Sequence, residues 1–187
     1  MMNVDTLTMV YLGSQIILIG VMVVIVLRLL AVILYVRHPL PFVPTHHRAI
    51  QAIIQSGLLS DRRRVVDLGC GWGTLLAMIR QHVPKAEVRG VELRPFLVQL
   101  ARWRFWFDPH PPKIIQGDFF QHSIADADAI VGFWITDLMP NLLQKFAREC
   151  PPGCRIFSVI FALPPHPAFY HQVIQDRGAI VHVYTKS

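Results

Sequence analysis

The chain begins with an almost unbroken run of apolar residues. No formally charged residue occurs from Thr6 to Leu27, and after Arg28 the sequence is apolar again as far as Val36. A helix rises about 1.5 Å per residue, so this run is long enough to cross the roughly 30 Å hydrocarbon core of a bilayer. We therefore predict one transmembrane helix over residues 6–36. A buried core helix is the less favoured alternative, because soluble helices rarely stay apolar on every face over such a length.

The charges around this segment predict its orientation. Asp5 precedes it, whereas Arg28, Arg37 and Arg48 lie near its end or after it. Positive charge favours the cytoplasmic side of a membrane protein. We therefore expect a single-pass protein whose remaining domain lies on the cytoplasmic side of the membrane.

Three prolines follow within the sequence HPLPFVP. Proline lacks the amide hydrogen that a helix interior needs, so the helix cannot continue through this stretch. We predict a stiff proline-rich elbow over residues 37–44 and a separate domain over residues 45–187.

Beyond the elbow, short apolar runs alternate with amphipathic stretches. This alternation predicts an α/β domain with a Rossmann-like, mostly parallel sheet and helices on both faces. The predicted helices cover residues 46–58, 74–82, 95–107 and 138–149, and the predicted strands cover residues 64–68, 87–93, 113–116, 127–133 and 155–161. The tail is expected to form a hairpin over residues 170–176 and 179–185, turning at Gly178.

Composition narrows the class of protein. The 187 residues are 53% hydrophobic and only 16% charged, which excludes a disordered or collagen-like chain. The net charge of +6 is compatible with contact to anionic lipid. Nucleic-acid binding is not expected, because no basic and aromatic recognition module is present.

Cysteine and histidine usage argues against a metal site and against disulfides. The three cysteines, Cys70, Cys150 and Cys154, form an odd set without histidines at zinc-ligand spacing. We therefore expect neither a disulfide framework nor a bound metal.

The strongest chemical signal is the segment VVDLGCGWGT. It is an apolar strand that ends in Asp67 and passes through Gly69, Gly71 and Gly73 into a helix. Glycines at such a turn let the backbone approach a ligand closely. Their spacing differs from the G-x-G-x-x-G of dinucleotide sites, so a nicotinamide-dependent oxidoreductase is the weaker alternative.

Two further acids follow the next strands. Glu92 ends the second strand, where a carboxylate can accept hydrogen bonds from both ribose hydroxyls. Asp118 and Phe119 follow the third strand, where the acid can accept an adenine amino group and the ring can lie against the base. The alternative for Asp67 and Asp118 is that they only cap turns or helix ends.

Together these residues resemble the class I S-adenosylmethionine-dependent methyltransferases. In that family, the acid that matches Asp67 and the glycines that match Gly69, Gly71 and Gly73 form the loop around the methionine part of the cofactor. Glu92 matches the ribose-binding acid, and Asp118 matches the adenine contact. The resemblance implies S-adenosyl-L-methionine as the cofactor.

A narrower resemblance extends over nearly the whole chain. The order of the membrane segment, the elbow PFVPT, the glycine loop and the motifs RIFS and FALP is similar to that of the membrane-tethered protein-lysine methyltransferases. These enzymes modify the ATP synthase c-subunit and the adenine nucleotide translocase, and they have prokaryotic homologues. The resemblance implies a target lysine on a membrane or membrane-associated protein. Thr136, Ile160 and His166 depart from the family pattern of proline, a basic residue and tryptophan.

The residues after the fourth strand are candidates for an acceptor channel. Phe133, Trp134 and Thr136 occupy this position, and aromatic faces there can hold an ammonium group. For Trp134, packing in the core is an equally good interpretation. Asp137 can orient an amine, but capping of the following helix is favoured.

A dense aromatic run, Trp103, Phe105, Trp106 and Phe107, lies at the end of a predicted helix. Core packing on one side and membrane-interface contact on the other are favoured over a ligand-binding role.

Two other functions remain open at this point. One is methyl transfer to a small or lipid-like acceptor, such as a quinone or a headgroup. The other is a non-catalytic membrane protein that only binds S-adenosylmethionine.

Overall fold

The computed structural model describes residues 4–36, 47–176 and 178–187. The elbow predicted over residues 37–44 lies outside the described residues. The chain divides into two compact units, Met1–Phe42 and Val43–Ser187.

The described residues of the first unit form one long helix. Helix α1 covers Val4–Val36, which confirms the predicted helix. Its segment Tyr11–Leu30 has a mean hydropathy of 2.3 and is not buried. By length and composition, this segment is sufficient to cross a bilayer.

The described residues of the second unit form seven strands and four further α-helices. The strands are β1 Arg64–Leu68, β2 Glu87–Glu92, β3 Lys113–Gln116, β4 Ala129–Gly132, β5 Arg155–Val159, β6 Phe169–Asp176 and β7 Ala179–Lys186. The helices are α2 His47–Gln55, α3 Thr74–His82, α4 Pro95–Arg104 and α5 Met139–Glu149, and a short 3₁₀ helix, Thr136–Leu138, precedes α5.

These strands form one sheet in the order β3-β2-β1-β4-β5-β7-β6. Strands β1 to β5 pair in parallel, and the β6–β7 hairpin joins β5 through the antiparallel strand β7. The predicted Rossmann-like, mostly parallel sheet is therefore confirmed. Because the parallel strands run in one direction, their carboxyl ends meet along a single edge.

Helices cover both faces of the sheet. On one face, α2 and α3 bury apolar side chains such as Ile50, Ile53 and Leu76 against the strands. On the other face, α5 buries Leu142 and Phe146, which are one helical turn apart and so lie on one side of the helix.

Several predicted elements were too long. The helix predicted to reach residue 107 ends at Arg104, and the strand predicted to reach residue 161 ends at Val159. Strand β5 stops where the backbone of Ile160 turns to a φ of 73°, a left-handed conformation that does not continue a strand. The strands predicted over residues 87–93 and 127–133 cover 87–92 and 129–132, and the helices predicted over residues 46–58 and 138–149 cover 47–55 and 139–149.

Candidate active site

The glycine loop after β1 has a conformation that side chains rarely adopt. Gly69, Gly71 and Gly73 have φ values of 86°, 55° and 83°. A Cβ atom placed on Gly69 would meet nothing within 4 Å, whereas one placed on Gly73 would lie 2.8 Å from the ring of Phe105. Gly69 therefore borders open space, and Gly73 allows the start of α3 to pack closely on Phe105, just beyond α4.

Glu92, the last residue of β2, holds this loop in place. Its Oε2 atom accepts a hydrogen bond from the Gly71 amide at 2.9 Å, and its Oε1 atom accepts one from the Arg94 amide at 2.9 Å. The Glu92 carbonyl also accepts a hydrogen bond from the Gly117 amide at 3.0 Å. An ionised carboxylate has about four acceptor positions, so Glu92 keeps capacity to accept hydrogen bonds from a ligand.

Asp67, at the end of β1, is a buried acid. Its residue is 3% exposed, and no other residue in the described part of the chain donates to its carboxylate. Burial raises the pKa of Asp67 well above its ordinary value, and the negative charge of Glu92 raises it further. A buried acceptor of this kind is suited to receive a donor from a ligand.

Asp118 and Phe119 lie in the turn after β3. Oδ1 of Asp118 accepts a hydrogen bond from the Phe120 amide at 2.8 Å, so Asp118 does stabilise its own turn, as the capping alternative proposed. Both residues are half-buried, and the rings of Phe119 and Phe120 are 4.7 Å apart. Among the described residues, none donates to the other carboxylate oxygen of Asp118, which can accept a hydrogen bond from a ligand.

Lys145 was not predicted from the sequence. This α5 side chain is only 3% exposed, and its Nζ donates to the carbonyl oxygens of Phe120 and His122 and to Oε2 of Glu149. It therefore ties α5 to the turn that contains Asp118. The sequence did contain a signal for this role. Lys145 stands beside Phe146, at the edge of the apolar side of an amphipathic helix, and Glu149 follows four residues later, where it can pair with the lysine.

Phe133, Thr136 and Asp137 follow β4 on the same edge of the sheet. Phe133 is half-buried, and Thr136 and Asp137 are exposed. The ring of Phe133 packs edge-on against Phe161, with centroids 6.0 Å apart. Neither the 3₁₀ helix nor α5 has a side-chain hydrogen bond at its cap, so the expectation that Asp137 caps the helix was wrong. Its carboxylate forms no hydrogen bond or ion pair within the described ranges.

Trp134 lies in the core. Its side chain is buried, its ring packs against Phe146 with centroids 5.5 Å apart, and its Nε1 donates to the Leu68 carbonyl at 2.9 Å. A Cβ atom on Gly132 would collide with the Trp134 ring. Packing, the alternative given for this residue, accounts for all of these contacts. Trp134 joins the loop after β4 to the end of β1.

The loop after β5 contains the one non-glycine residue with positive φ in the described ranges, Ile160. The Phe161 amide donates to the Val159 carbonyl at 3.0 Å across this tight turn, and the Ser158 hydroxyl donates to the Phe161 carbonyl at 2.6 Å. A β-branched residue in this conformation is strained by roughly 1–3 kcal/mol. The turn places Phe161 against Phe133.

Among the described residues, no group of three or more histidine, cysteine or acidic side chains is arranged to hold a metal ion. The three cysteines are free and buried. Burial raises the pKa of the Cys70 thiol, and the charges of Asp67 and Glu92 raise it further. Cys70 is therefore a packing residue in the glycine loop, not a reactive thiolate.

The structure brings the predicted cofactor residues together. The glycine loop, Glu92 and the Asp118 turn are joined by hydrogen bonds along the carboxyl ends of β1, β2 and β3. Open space beside Gly69, unused acceptors on Glu92 and an Asp67 carboxylate that no described residue donates to fit a ligand that carries hydroxyl and ammonium donors. S-adenosyl-L-methionine has such donors on its ribose and its methionine part.

Two curated relatives are similar to this chain over about two thirds of its length. A methyltransferase from Saccharolobus islandicus, named a protein-lysine N-methyltransferase, is 28% identical over 131 residues, 69% of this chain and 81% of the relative. A lysine N-methyltransferase of the ATP synthase c-subunit, from Rattus norvegicus, is 30% identical over 129 residues, 67% of this chain. The chain spans only 57% of the length of that rat protein.

Solved structures agree with the fold. An RNA methyltransferase from Salinibacter ruber, in complex with S-adenosyl-L-homocysteine, has a TM-score of 0.65 at 23% identity and covers 77% of this chain and 94% of its own. A methyltransferase from Geobacter sulfurreducens has a TM-score of 0.62 at 15% identity, over 76% of this chain and 80% of its own. At these identities the likeness supports the fold alone.

The family assignment rests on the match at the site itself. The family model of the ANTKMT methyltransferase domain matches residues 67–168, more than half of the chain. The matched range begins at Asp67 and includes the glycine loop, Glu92, the Asp118 turn and the residues after β4. The chain therefore belongs to the ANTKMT methyltransferase domain family and is an S-adenosylmethionine-dependent methyltransferase.

Proposed function

We propose that this enzyme transfers a methyl group from S-adenosyl-L-methionine to the ε-amine of a lysine on a membrane or membrane-associated protein. The observation that carries the proposal is the family match across the site, together with relatives named for protein-lysine methylation. One of these relatives, from Mus musculus, is named an adenine nucleotide translocase lysine N-methyltransferase.

On the cofactor side, each group has a separate task. Asp67 and the open backbone at Gly69 receive the methionine part, Glu92 accepts hydrogen bonds from the ribose hydroxyls, and Asp118 accepts one from the adenine amino group. Phe119 lies along the base. The cofactor supplies an electrophilic methyl group on a sulfonium, so most of the rate enhancement comes from holding the reactants in line.

On the acceptor side, the reacting lysine must present a neutral amine. We assign Phe133 and Thr136 to the wall of the acceptor channel and Asp137 to orienting the amine, because its carboxylate is exposed and forms no other interaction in the described ranges. Aromatic rings attract an ammonium group before it loses its proton. Trp134 supports this wall from the core.

The membrane part of the proposal depends on α1. The segment Tyr11–Leu30 would cross the bilayer once, and the arginines after it favour a catalytic domain on the cytoplasmic side. A bilayer anchor keeps the domain close to acceptors in the same membrane, which raises their effective concentration.

The test is transfer of radiolabelled methyl groups by the full chain in a membrane fraction. We expect label in a protein band that yields methyl-lysine on hydrolysis. The Asp67→Ala variant should lose the label, and Asp61→Asn, at the opposite edge of the sheet, should keep it. Label found only in extracted lipid would mean that the acceptor is a lipid-like molecule and not a lysine. Cofactor binding without any transfer would indicate a non-catalytic binding protein.

A further inference from the structure

Helix α4 and the turn after it have two sides of different character. Val98, Ala101 and Phe105 are buried. On the opposite side of the helix, Phe96 and Trp103 are 72% and 74% exposed, and Phe107, in the turn after the helix, is 93% exposed. This exposure is unusual, because large aromatic side chains are normally covered in a soluble domain.

The exposed residues form one continuous surface. Positions 96, 100 and 103 are separated by three or four residues, so they lie along one side of α4. Phe107 follows in the turn after the helix ends at Arg104. Trp106, 73% exposed, extends the same surface. A shallow cleft runs between several of these side chains. We call this surface the aromatic face; it consists of Phe96, Leu100, Trp103, Trp106 and Phe107.

Positive charge borders the aromatic face. Arg102 and Arg104 are exposed beside it, and no acidic residue occurs from Leu93 to Phe107. Within the described residues, the indole nitrogens of Trp103 and Trp106 donate no hydrogen bond to other parts of the chain. The surface therefore offers apolar rings, indole donors and cations together.

This combination matches the headgroup region of an anionic bilayer. Tryptophan is enriched there because its ring is apolar and its N–H can donate to lipid oxygens. Arginines beside aromatic rings are typical of helices that lie in the interface, and anionic headgroups attract them. A protein partner would need acidic groups to meet the same arginines, and a second copy of this face would bring arginines against arginines.

We infer that the aromatic face of α4 inserts into the headgroup region of the membrane that anchors the chain. The inference rests on the proposed membrane anchoring by α1. Helix α4 begins at Pro95, directly after the turn that follows Glu92. Contact of α4 with the bilayer would therefore hold the cofactor edge of the sheet near the membrane surface, where a membrane-embedded lysine can reach it.

The test uses fluorophores attached to single introduced cysteines in the full chain. The native cysteines are buried, so a thiol reagent reacts selectively with introduced ones. Phe107→Cys reports on the aromatic face, and Arg148→Cys, whose side chain is 72% exposed on α5, is the matched control. Val24→Cys reports on α1. The protein is reconstituted in vesicles of phosphatidylcholine and phosphatidylglycerol that carry a nitroxide near the headgroup or deep in the acyl chain.

We expect the headgroup nitroxide to quench the label at position 107 at least about twofold more than the label at position 148. Aqueous iodide should show the opposite order. Iodide quenching of position 107 equal to that of position 148 would overturn the inference. Protection of position 107 from both quenchers would also overturn it and would indicate a protein contact, such as a second copy.

The position 24 label separates this inference from the proposed function. If the deep nitroxide quenches position 24 but no lipid quencher reaches position 107, only the role of α4 fails. If position 24 is not quenched either, the membrane anchoring itself fails. Trp103→Cys provides a second reporter on the same face.

Discussion

The backbone amide of Gly71 donates a hydrogen bond to the Glu92 carboxylate at 2.9 Å. One acid, at the end of β2, therefore fixes the loop that follows β1. The second oxygen of the same carboxylate accepts a hydrogen bond from the Arg94 amide, so both carboxylate oxygens are held in place. The site is ordered by its own side chains, which reduces the entropy that cofactor binding must overcome.

Replacement of Glu92 should therefore weaken cofactor binding in two ways. First, Glu92→Gln leaves only one side-chain oxygen to accept hydrogen bonds. Second, its amide nitrogen cannot accept the hydrogen bond that the Gly71 or Arg94 backbone amide donates to the glutamate. Loss of a hydrogen bond to a charged group costs about 1.5–3 kcal/mol, so we expect the affinity for S-adenosylhomocysteine to fall about 10- to 100-fold. Isothermal titration calorimetry measures this change.

Glu87→Gln is the matched control for this experiment. Glu87 is exposed at the opposite end of the same strand, so its replacement should leave the affinity unchanged. Equal losses in the two variants would mean that Glu92 is not a cofactor ligand.

Asp67 should reduce the stability of the free enzyme. Burial raises the pKa of Asp67, and the charge of Glu92 raises it further. At pH values between the ordinary aspartate pKa and this raised pKa, the folded state therefore binds more protons than the unfolded state. The free energy of unfolding therefore falls as pH rises through this window. Asp67→Asn removes the charge, and we expect it to stabilise the protein at neutral pH by about 1–3 kcal/mol.

Thermal unfolding in detergent micelles measures this effect. The melting temperature of Asp67→Asn should exceed that of the unaltered protein at neutral pH, and the difference should shrink as the pH is lowered. Addition of S-adenosylhomocysteine should raise the melting temperature of the unaltered protein more than that of the variant. A variant less stable at every pH would contradict the assignment of Asp67 as an unpartnered buried acid.

The elements that the sequence predicted well are those with a strong local pattern. Strand β1 and helix α3 have the predicted bounds, because an apolar run, three glycines and an amphipathic stretch follow each other without ambiguity. The juxtaposition of Asp67, Glu92 and Asp118 at one edge followed from the same logic, since parallel strands bring their carboxyl ends together. The pairing of β7 with β5, in contrast, depends on contacts distant in sequence, and no local pattern specified it.

The sequence pattern is less informative at Asp137 and Lys145. Asp137 stands at a helix start, where acids commonly cap, but a 3₁₀ turn precedes α5 and its caps carry no side-chain hydrogen bond. The role of Lys145 depends on carbonyl partners, Phe120 and His122, that lie in a different part of the chain. Long-range partners of this kind are not encoded in residue spacing.

Lys145 should stabilise both the domain and the adenine side of the site. Its Nζ donates to the carbonyls of Phe120 and His122, and Lys145→Met keeps the length of the side chain while removing these donors. Acceptors left without partners cost about 1–3 kcal/mol. We expect the melting temperature to fall and cofactor affinity to drop several-fold, because the Asp118 turn loses its attachment to α5.

The comparison for this variant is Lys85→Met. Lys85 is exposed in the turn before β2, so its replacement removes the same charge at little cost. Burial alone would raise the pKa of Glu149, but hydrogen bonds from Lys145 and Arg148 lower it. The stability from this ion pair is therefore present above the ordinary glutamate range and is lost as the pH falls through the lowered value. The deficit of Lys145→Met should narrow in acid, and a pH-independent deficit would contradict the ion-pair contribution.

Asp137 should act on the acceptor and not on the cofactor. It follows β4, while the groups assigned to the cofactor follow β1, β2 and β3. Asp137→Asn keeps an acceptor oxygen but loses the negative charge that attracts and orients the target amine. Charge-assisted hydrogen bonds are about twice as strong as neutral ones, so we expect kcat/KM for the protein acceptor to fall about 10-fold.

The measurement is methyl transfer to the acceptor at varied acceptor concentration, with cofactor affinity determined in parallel. Asp61→Asn is the matched variant. Asp61 precedes β1, and its exposed carboxylate forms ion pairs with Arg62 and Arg155, which contribute little to stability. The expected pattern is a loss in kcat/KM for Asp137→Asn alone, with S-adenosylhomocysteine affinity equal in both variants. A parallel fall in cofactor affinity would assign Asp137 to the structure of the site, and unchanged transfer would place the target amine elsewhere on this edge of the sheet.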